Sequence, residues 1–126
     1  MRYVSTRGEA PTLSFEEALL SGLARDGGLY VPESWPAISA SEIAGFAGQS
    51  YEDVAFRLMR PFIGETFSDD EFRNILARAY GGFAHRAVCP ISQLGPNEFL
   101  LELFHGPTLA FKDVAMQLIG QMFEAL

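Results

Sequence analysis

LELFHGPTLAFKD, residues 101–113, joins two apolar segments through a Gly-Pro turn. The mainly apolar residues 98–104 predict a largely buried strand. From residue 113 onward the chain is apolar almost all round, which predicts a helix buried on most faces. A strand, a loop and a buried helix in this order open a βαβ unit, and the second parallel strand is missing from the 126 residues. We therefore predict an α/β protein whose reading frame continues past Leu126.

The residues before this segment predict a small α+β unit of short helices and strands. Capping-box patterns predict three helices, beginning at Ser14 with Glu17, Ser50 with Asp53, and Ser68 with Glu71. The predicted helix ends are Gly27-Gly28, Pro61 and Gly81-Gly82. Short extended segments are predicted at residues 2–6 and 29–31, and the residues after Pro32 are predicted to form an irregular connector. We place a small helical N-terminal domain at residues 1–83 and the incomplete start of a second domain at residues 84–126.

Composition excludes several classes of function. Nine basic residues against 16 acidic ones give a net charge of −7, and no basic run is present, so nucleic acid is not an expected partner. No apolar stretch approaches the roughly 20 residues that span a bilayer. His85 and Cys89 are isolated potential ligands, so no metal is expected. Because Cys89 is the only cysteine and no signal segment is visible, we expect a reducing, cytoplasmic setting.

Lys112 is the only lysine in the chain and lies among apolar residues. Burial would disfavour its charged form and leave a neutral amine, which is a nucleophile suited to Schiff-base formation with a carbonyl. The alternative is a lysine whose stem lies over Phe111 and whose ammonium pairs with Asp113. Asp113 also fits a helix N-cap, Thr108 fits a turn, and His105 fits a satisfied core or rim histidine.

The string HGPTLAFKD, residues 105–113, closely resembles the cofactor-lysine motif of threonine synthases, which are pyridoxal 5'-phosphate (PLP) enzymes of the tryptophan-synthase-β fold type, fold type II. YVSTRG at residues 3–8 and DGGLYVP at residues 26–32 also resemble that family. The resemblance covers essentially the whole chain. It implies a lyase that converts O-phospho-L-homoserine and water to L-threonine and phosphate, with these 126 residues as its N-terminal portion.

The resemblance also implies roles for particular residues. Lys112 would be the catalytic residue, binding PLP through its amine and then moving protons on the substrate. Phe111 and Asp113 would join it in cofactor binding, and His105 and Thr108 would belong to the substrate pocket. The groups that hold the cofactor phosphate and ring nitrogen cannot be assigned within these residues. The fragment alone is therefore expected to be inactive and to need the rest of its chain.

Two other interpretations stay open at the level of sequence. A threonine-synthase-like phospho-lyase would use the same lysine to form a 2-oxo acid and ammonia, and product analysis would distinguish it. A non-catalytic acidic interaction domain would instead dock through its helical region to a partner or to the rest of its own chain.

Overall fold

Five helices and four short strands follow one another in the computed structural model, which describes residues 1–126. In chain order they are β1 (Tyr3–Ser5), α1 (Phe15–Ser21), β2 (Tyr30–Pro32), α2 (Ala40–Ala44), α3 (Tyr51–Ile63), α4 (Asp69–Tyr80), β3 (Ile91–Gly95), β4 (Glu98–Leu101) and α5 (Asp113–Ala125). None of the helices is long and apolar enough to cross a membrane.

The chain divides into two compact units, each of which is built from two separate segments of the sequence. Unit 1 comprises residues 1–47 and 57–68, and unit 2 comprises residues 48–56 and 69–126. Helix α3 therefore contributes its first part to unit 2 and its second part to unit 1. The domain boundary at residue 83 stays a prediction.

A partly exposed aspartate, Asp26, organises the loops of unit 1 around a two-stranded antiparallel sheet, β1 with β2. One carboxylate oxygen of Asp26 accepts hydrogen bonds from the Ser5 hydroxyl at 2.8 Å and the Gly28 N–H at 2.9 Å. The other accepts from the N–H groups of Glu9 and Ala10. These bonds outweigh the opposing effect of desolvation and lower the pKa of Asp26, the largest contribution coming from Ser5.

The predicted helix starts are correct, the predicted end at Gly81-Gly82 is confirmed because α4 ends at Tyr80, and the other two predicted ends are wrong. Ser14 and Glu17 form the complete capping box of α1, and Ser50 accepts a hydrogen bond from the Asp53 N–H at the start of α3. Helix α1 ends at Ser21 because Gly22 takes a positive φ of 69°, well before the predicted stop at Gly27-Gly28.

Two further differences have local causes. Pro61 lies inside α3 rather than ending it. The proline removes only one N–H from the helix, and the burial of Ile63 two residues later holds the last turn in place. The predicted connector after Pro32 contains the short helix α2, whose capping box is formed by Ser39 and Glu42.

The core of unit 2 lies between α4 and α5. Helix α4 buries Phe72, Ile75, Leu76 and Ala79, which share one face at helical spacing, and it also buries Tyr80. The Tyr80 hydroxyl donates to the Val114 carbonyl at 3.0 Å and ties the end of α4 to the start of α5.

Within these 126 residues, the segments on either side of the loop at residues 102–112 are more exposed than their apolar composition predicts. Helix α5 buries only Leu118 and Met122 among its apolar residues, while Met116 and Phe123 are exposed. The predicted strand over 98–104 is a strand only at 98–101, and all four of its residues are exposed. Strand β4 pairs only with β3, and a two-stranded hairpin has too few neighbours to cover its faces.

Candidate functional site

The loop between β4 and α5 is held at its C-terminal end by the carboxylate of Asp113. This side chain is 3% exposed at the first position of α5. Its two oxygens accept from the Thr108 N–H at 2.8 Å and the Thr108 hydroxyl at 2.9 Å, and Gln117 donates at 3.3 Å. Desolvation would raise the pKa of Asp113, but the hydrogen bonds from Thr108 and Gln117 outweigh it and lower the pKa.

Gly106 allows the loop to close on Asp113. A Cβ at position 106 would lie 2.4 Å from the Cβ of Asp113 and 2.5 Å from one of its carboxylate oxygens. Leu109 has a φ of 62°, in the left-handed region that residues other than glycine rarely adopt. Its N–H donates to the Gly106 carbonyl at 3.1 Å. Residues 106–109 therefore form a tight turn against the start of α5.

Lys112 immediately precedes α5 and is exposed within these 126 residues, whereas its apolar neighbours predicted a buried amine. The apolar neighbours that suggested burial are themselves exposed, Leu109 by 72% and Phe111 by 65%. The alternative ion pair with Asp113 is not formed, because Thr108 and Gln117 occupy the carboxylate. The Lys112 amine lies 5.9 Å from the centre of the Phe111 ring.

His105 is fixed by a carboxylate that sequence analysis did not single out. The Nε2 atom of His105 lies 2.7 Å from an oxygen of Glu102, whose other oxygen accepts a hydrogen bond from the Ser92 hydroxyl. The Ser92 and His105 hydrogen bonds lower the pKa of Glu102. Because an ionised carboxylate only accepts, His105 donates from Nε2. In the sequence, the signal for this hydrogen-bonded pair was that Glu102 lies three residues before His105.

The backbone and a second histidine also contact His105. The Ala84 N–H donates to the His105 carbonyl at 2.9 Å. The ring of His85 lies 5.3 Å from the ring of His105, measured between centres. The loop is thus held at both ends, by Glu102 near β4 and by Asp113 at α5.

A cavity of about 610 Å³ in unit 2 does not include the lysine loop. It is lined by the start of α3, the end of α4, Phe83 and residues 85–87, so His85 is among the lining residues. Lys112 and Phe111 instead stand on an exposed surface.

The fold has close counterparts among solved structures. A PLP-bound threonine synthase from Brucella melitensis superposes with a TM-score of 0.96 at 55% identity, over 99% of this chain and 27% of that one. The yeast threonine synthase gives a TM-score of 0.91 at 42% identity, over 98% of this chain and 26% of that one. The fold is that of the N-terminal quarter of a PLP enzyme of fold type II, as the family resemblance implied.

The family model "Threonine synthase N terminus" matches residues 2–80. Threonine synthase from Pseudomonas aeruginosa is 57% identical over 124 residues, which is 98% of this chain and 26% of that protein. The chain belongs to the threonine synthase family and corresponds to its N-terminal portion, which confirms the resemblance inferred from the sequence. It spans about a quarter of the length of the curated relatives it matches. The roles of the individual site residues stay predictions.

Proposed function

We propose that this chain is the N-terminal part of a PLP-dependent threonine synthase, which converts O-phospho-L-homoserine and water into L-threonine and phosphate. The observation that carries the proposal is the exposed, uncommitted amine of Lys112 at the head of α5. The identity of 57% to a threonine synthase and the PLP-bound relative support it.

The residues on the loop fit the aldehyde end of PLP. Lys112 offers a primary amine that is not ion-paired with a carboxylate. A primary amine is the group that condenses with an aldehyde. The Phe111 ring beside it is a flat apolar surface, 65% exposed, of the kind that packs against a cofactor ring. When bound, PLP supplies the electron sink for the reaction.

The chain's own residues have distinct tasks in this proposal. Lys112 would hold the cofactor through Nζ, and as a free amine it would accept and return protons at Nζ. Phe111 forms part of the wall on the cofactor side. His105, oriented by Glu102, and Thr108 are proposed for the substrate side, and Asp113 for the cofactor side.

The rest of the same polypeptide is the proposed partner of this chain. Groups that bind the cofactor phosphate and the ring nitrogen would come from it, so the 126 residues alone are proposed to be inactive. Cys89 is a free thiol, which fits the proposed cytoplasmic setting.

The test is borohydride reduction of the PLP-loaded complete enzyme, followed by peptide mapping. A reduced adduct on Lys112 and loss of the visible cofactor absorption band are expected. Because Lys112 is the only lysine of these residues, any lysine adduct found in them reports on that position alone. An unmodified Lys112 in an active, PLP-loaded enzyme would refute the assignment.

Lys112→Arg is the matched control variant, because arginine keeps the positive charge and cannot act as the amine nucleophile. It should lose both the adduct and threonine formation, as Lys112→Ala should. If Lys112→Arg forms threonine at the parent rate, the lysine is not catalytic. Assay of threonine against 2-oxo acid and ammonia tests the phospho-lyase alternative, which the comparisons do not favour.

A further inference from the structure

Asp113 and Lys112 are neighbours in sequence, yet their charged groups do not pair. Both oxygens of the Asp113 carboxylate are taken by Thr108 and Gln117, and the side chain is 3% exposed. With three of its roughly four lone-pair positions occupied and little surface exposed, this carboxylate leaves little room for a contact with a bound molecule. The cofactor contact first predicted for Asp113 therefore has a competitor within the loop.

We propose that Asp113 is a positioning residue, which holds the loop at residues 106–112 in one conformation and thereby fixes where the Lys112 amine stands. The proposal rests on the proposed function, in which Lys112 carries the cofactor.

In the hydrogen bonds between Thr108 and Asp113, Thr108 is the donor and the Asp113 carboxylate is the acceptor. Thr108 donates its N–H to one oxygen of Asp113 and its hydroxyl to the other, so the carboxylate fixes both the backbone and the side chain at position 108. An asparagine at position 113 would present an amide N–H₂ to one of these donors. Toward the Thr108 N–H, two donors would then face each other at 2.8 Å; toward the Thr108 hydroxyl, the hydroxyl would have to accept instead of donate, and the Gln117 amide, now 3.3 Å from its acceptor, would face a second donor.

Close packing adds a constraint that does not depend on these hydrogen bonds. The space at position 106 is closed by the Asp113 side chain, whose Cγ would lie 2.8 Å from an added Cβ. Leu109 accepts a positive φ of 62° in the same turn. A loop with two such demands has few alternative conformations. Its last residue before α5 is Lys112, so the loop fixes the backbone position from which the Lys112 side chain extends.

The experiment compares Asp113→Asn, Thr108→Val and Thr108→Ser in the complete enzyme with the parent. Valine keeps the shape of threonine without the hydroxyl donor, whereas serine keeps the donor. The readouts are the rate of borohydride-trapped PLP at Lys112, the visible cofactor band, and kcat and KM for threonine formation. All are measured well below the melting temperature of each variant.

Misplacement of a reacting group by about 1 Å is enough to lower a rate by roughly 100-fold. We expect Asp113→Asn to lose about that factor in kcat and to form the trapped adduct more slowly, with a much smaller change in KM. In the trapping rate, which is measured without substrate, Thr108→Val should lie between Asp113→Asn and the parent, and Thr108→Ser should trap faster than Thr108→Val because it keeps the hydroxyl donor. A general loss of stability would not produce rescue by serine at equal folding.

Parent values of kcat and of the trapping rate in folded Asp113→Asn would overturn the proposal. So would a Thr108→Ser variant as impaired as Thr108→Val. If Asp113→Asn does not fold, the comparison of Thr108→Val with Thr108→Ser tests the proposal. Both substitutions nearly preserve the turn, and only Thr108→Ser keeps the hydroxyl donor. Failure of the proposed function itself looks different, since the parent enzyme would then give no adduct at Lys112.

Discussion

Phe72→Ala should be among the most destabilising substitutions in unit 2. The Phe72 side chain is 0% exposed in the core of α4, and its ring lies 5.7 Å from that of Phe56. Removing a fully buried phenylalanine costs about 3–5 kcal/mol, because apolar contacts are lost and the cavity only partly collapses. A chain of this length has a free energy of unfolding of about 5–15 kcal/mol, so the loss would be a large fraction of the total.

The assay is equilibrium urea unfolding of the 126-residue chain, followed by circular dichroism. Phe99→Ala is the matched control, because the same atoms are removed from a side chain that is 60% exposed on β4. The control should change the free energy of unfolding by less than about 0.5 kcal/mol. A loss below about 1 kcal/mol for Phe72→Ala, or equal losses for both variants, would refute the packing described for α4.

Three further predictions concern other parts of the chain. Gly106→Ala should destabilise the chain because its Cβ meets Asp113, whereas Gly120→Ala, which has open space in α5, should stabilise it by about 0.5–1 kcal/mol; urea unfolding of the two variants should give opposite signs. The pKa of Asp26 is lower in the folded chain than its ordinary value of 3.8, so its stabilising contribution is present above that pH and is lost as pH falls through the folded pKa. Asp26→Asn should therefore flatten the acid limb of the stability curve measured between about pH 6 and pH 2, and an unchanged limb would contradict the hydrogen bonds assigned to it. Burial raises the pKa of the Cys89 thiol, so at about pH 8 its alkylation by iodoacetamide should be slower in the folded chain than in urea, and equal rates would contradict this.

Features set by a few neighbouring residues were predictable from the sequence. The capping boxes at Ser14 and Ser50 fixed two helix starts, because the donor and the acceptor lie three residues apart. The buried face of α4 followed from its helical spacing. The box at Ser39 obeys the same rule, and α2 was missed because Pro36 favoured an irregular segment over the following residues.

Features set by distant neighbours were not predictable in the same way. The apolar composition around Lys112 suggested burial, but burial depends on what other elements cover those side chains, and here Leu109 and Phe111 are exposed. The role of Asp113 required the fold of the loop, since a sequence does not say whether a carboxylate caps a helix or reaches back to Thr108. The same holds for the Glu102 and Ser92 pair behind His105.

The division of α3 between the two units has a practical consequence for taking the protein apart. The chain passes from one unit to the other at residues 47/48, 56/57 and 68/69. A single truncation or a single proteolytic nick cannot release either unit with all of its residues. Each unit is built from two segments that are separated in the sequence by a segment of the other unit. A cut at any one position therefore leaves at least one unit with its two segments on different fragments. Separating them would require a permuted gene in which residues 48–56 are moved next to residue 69.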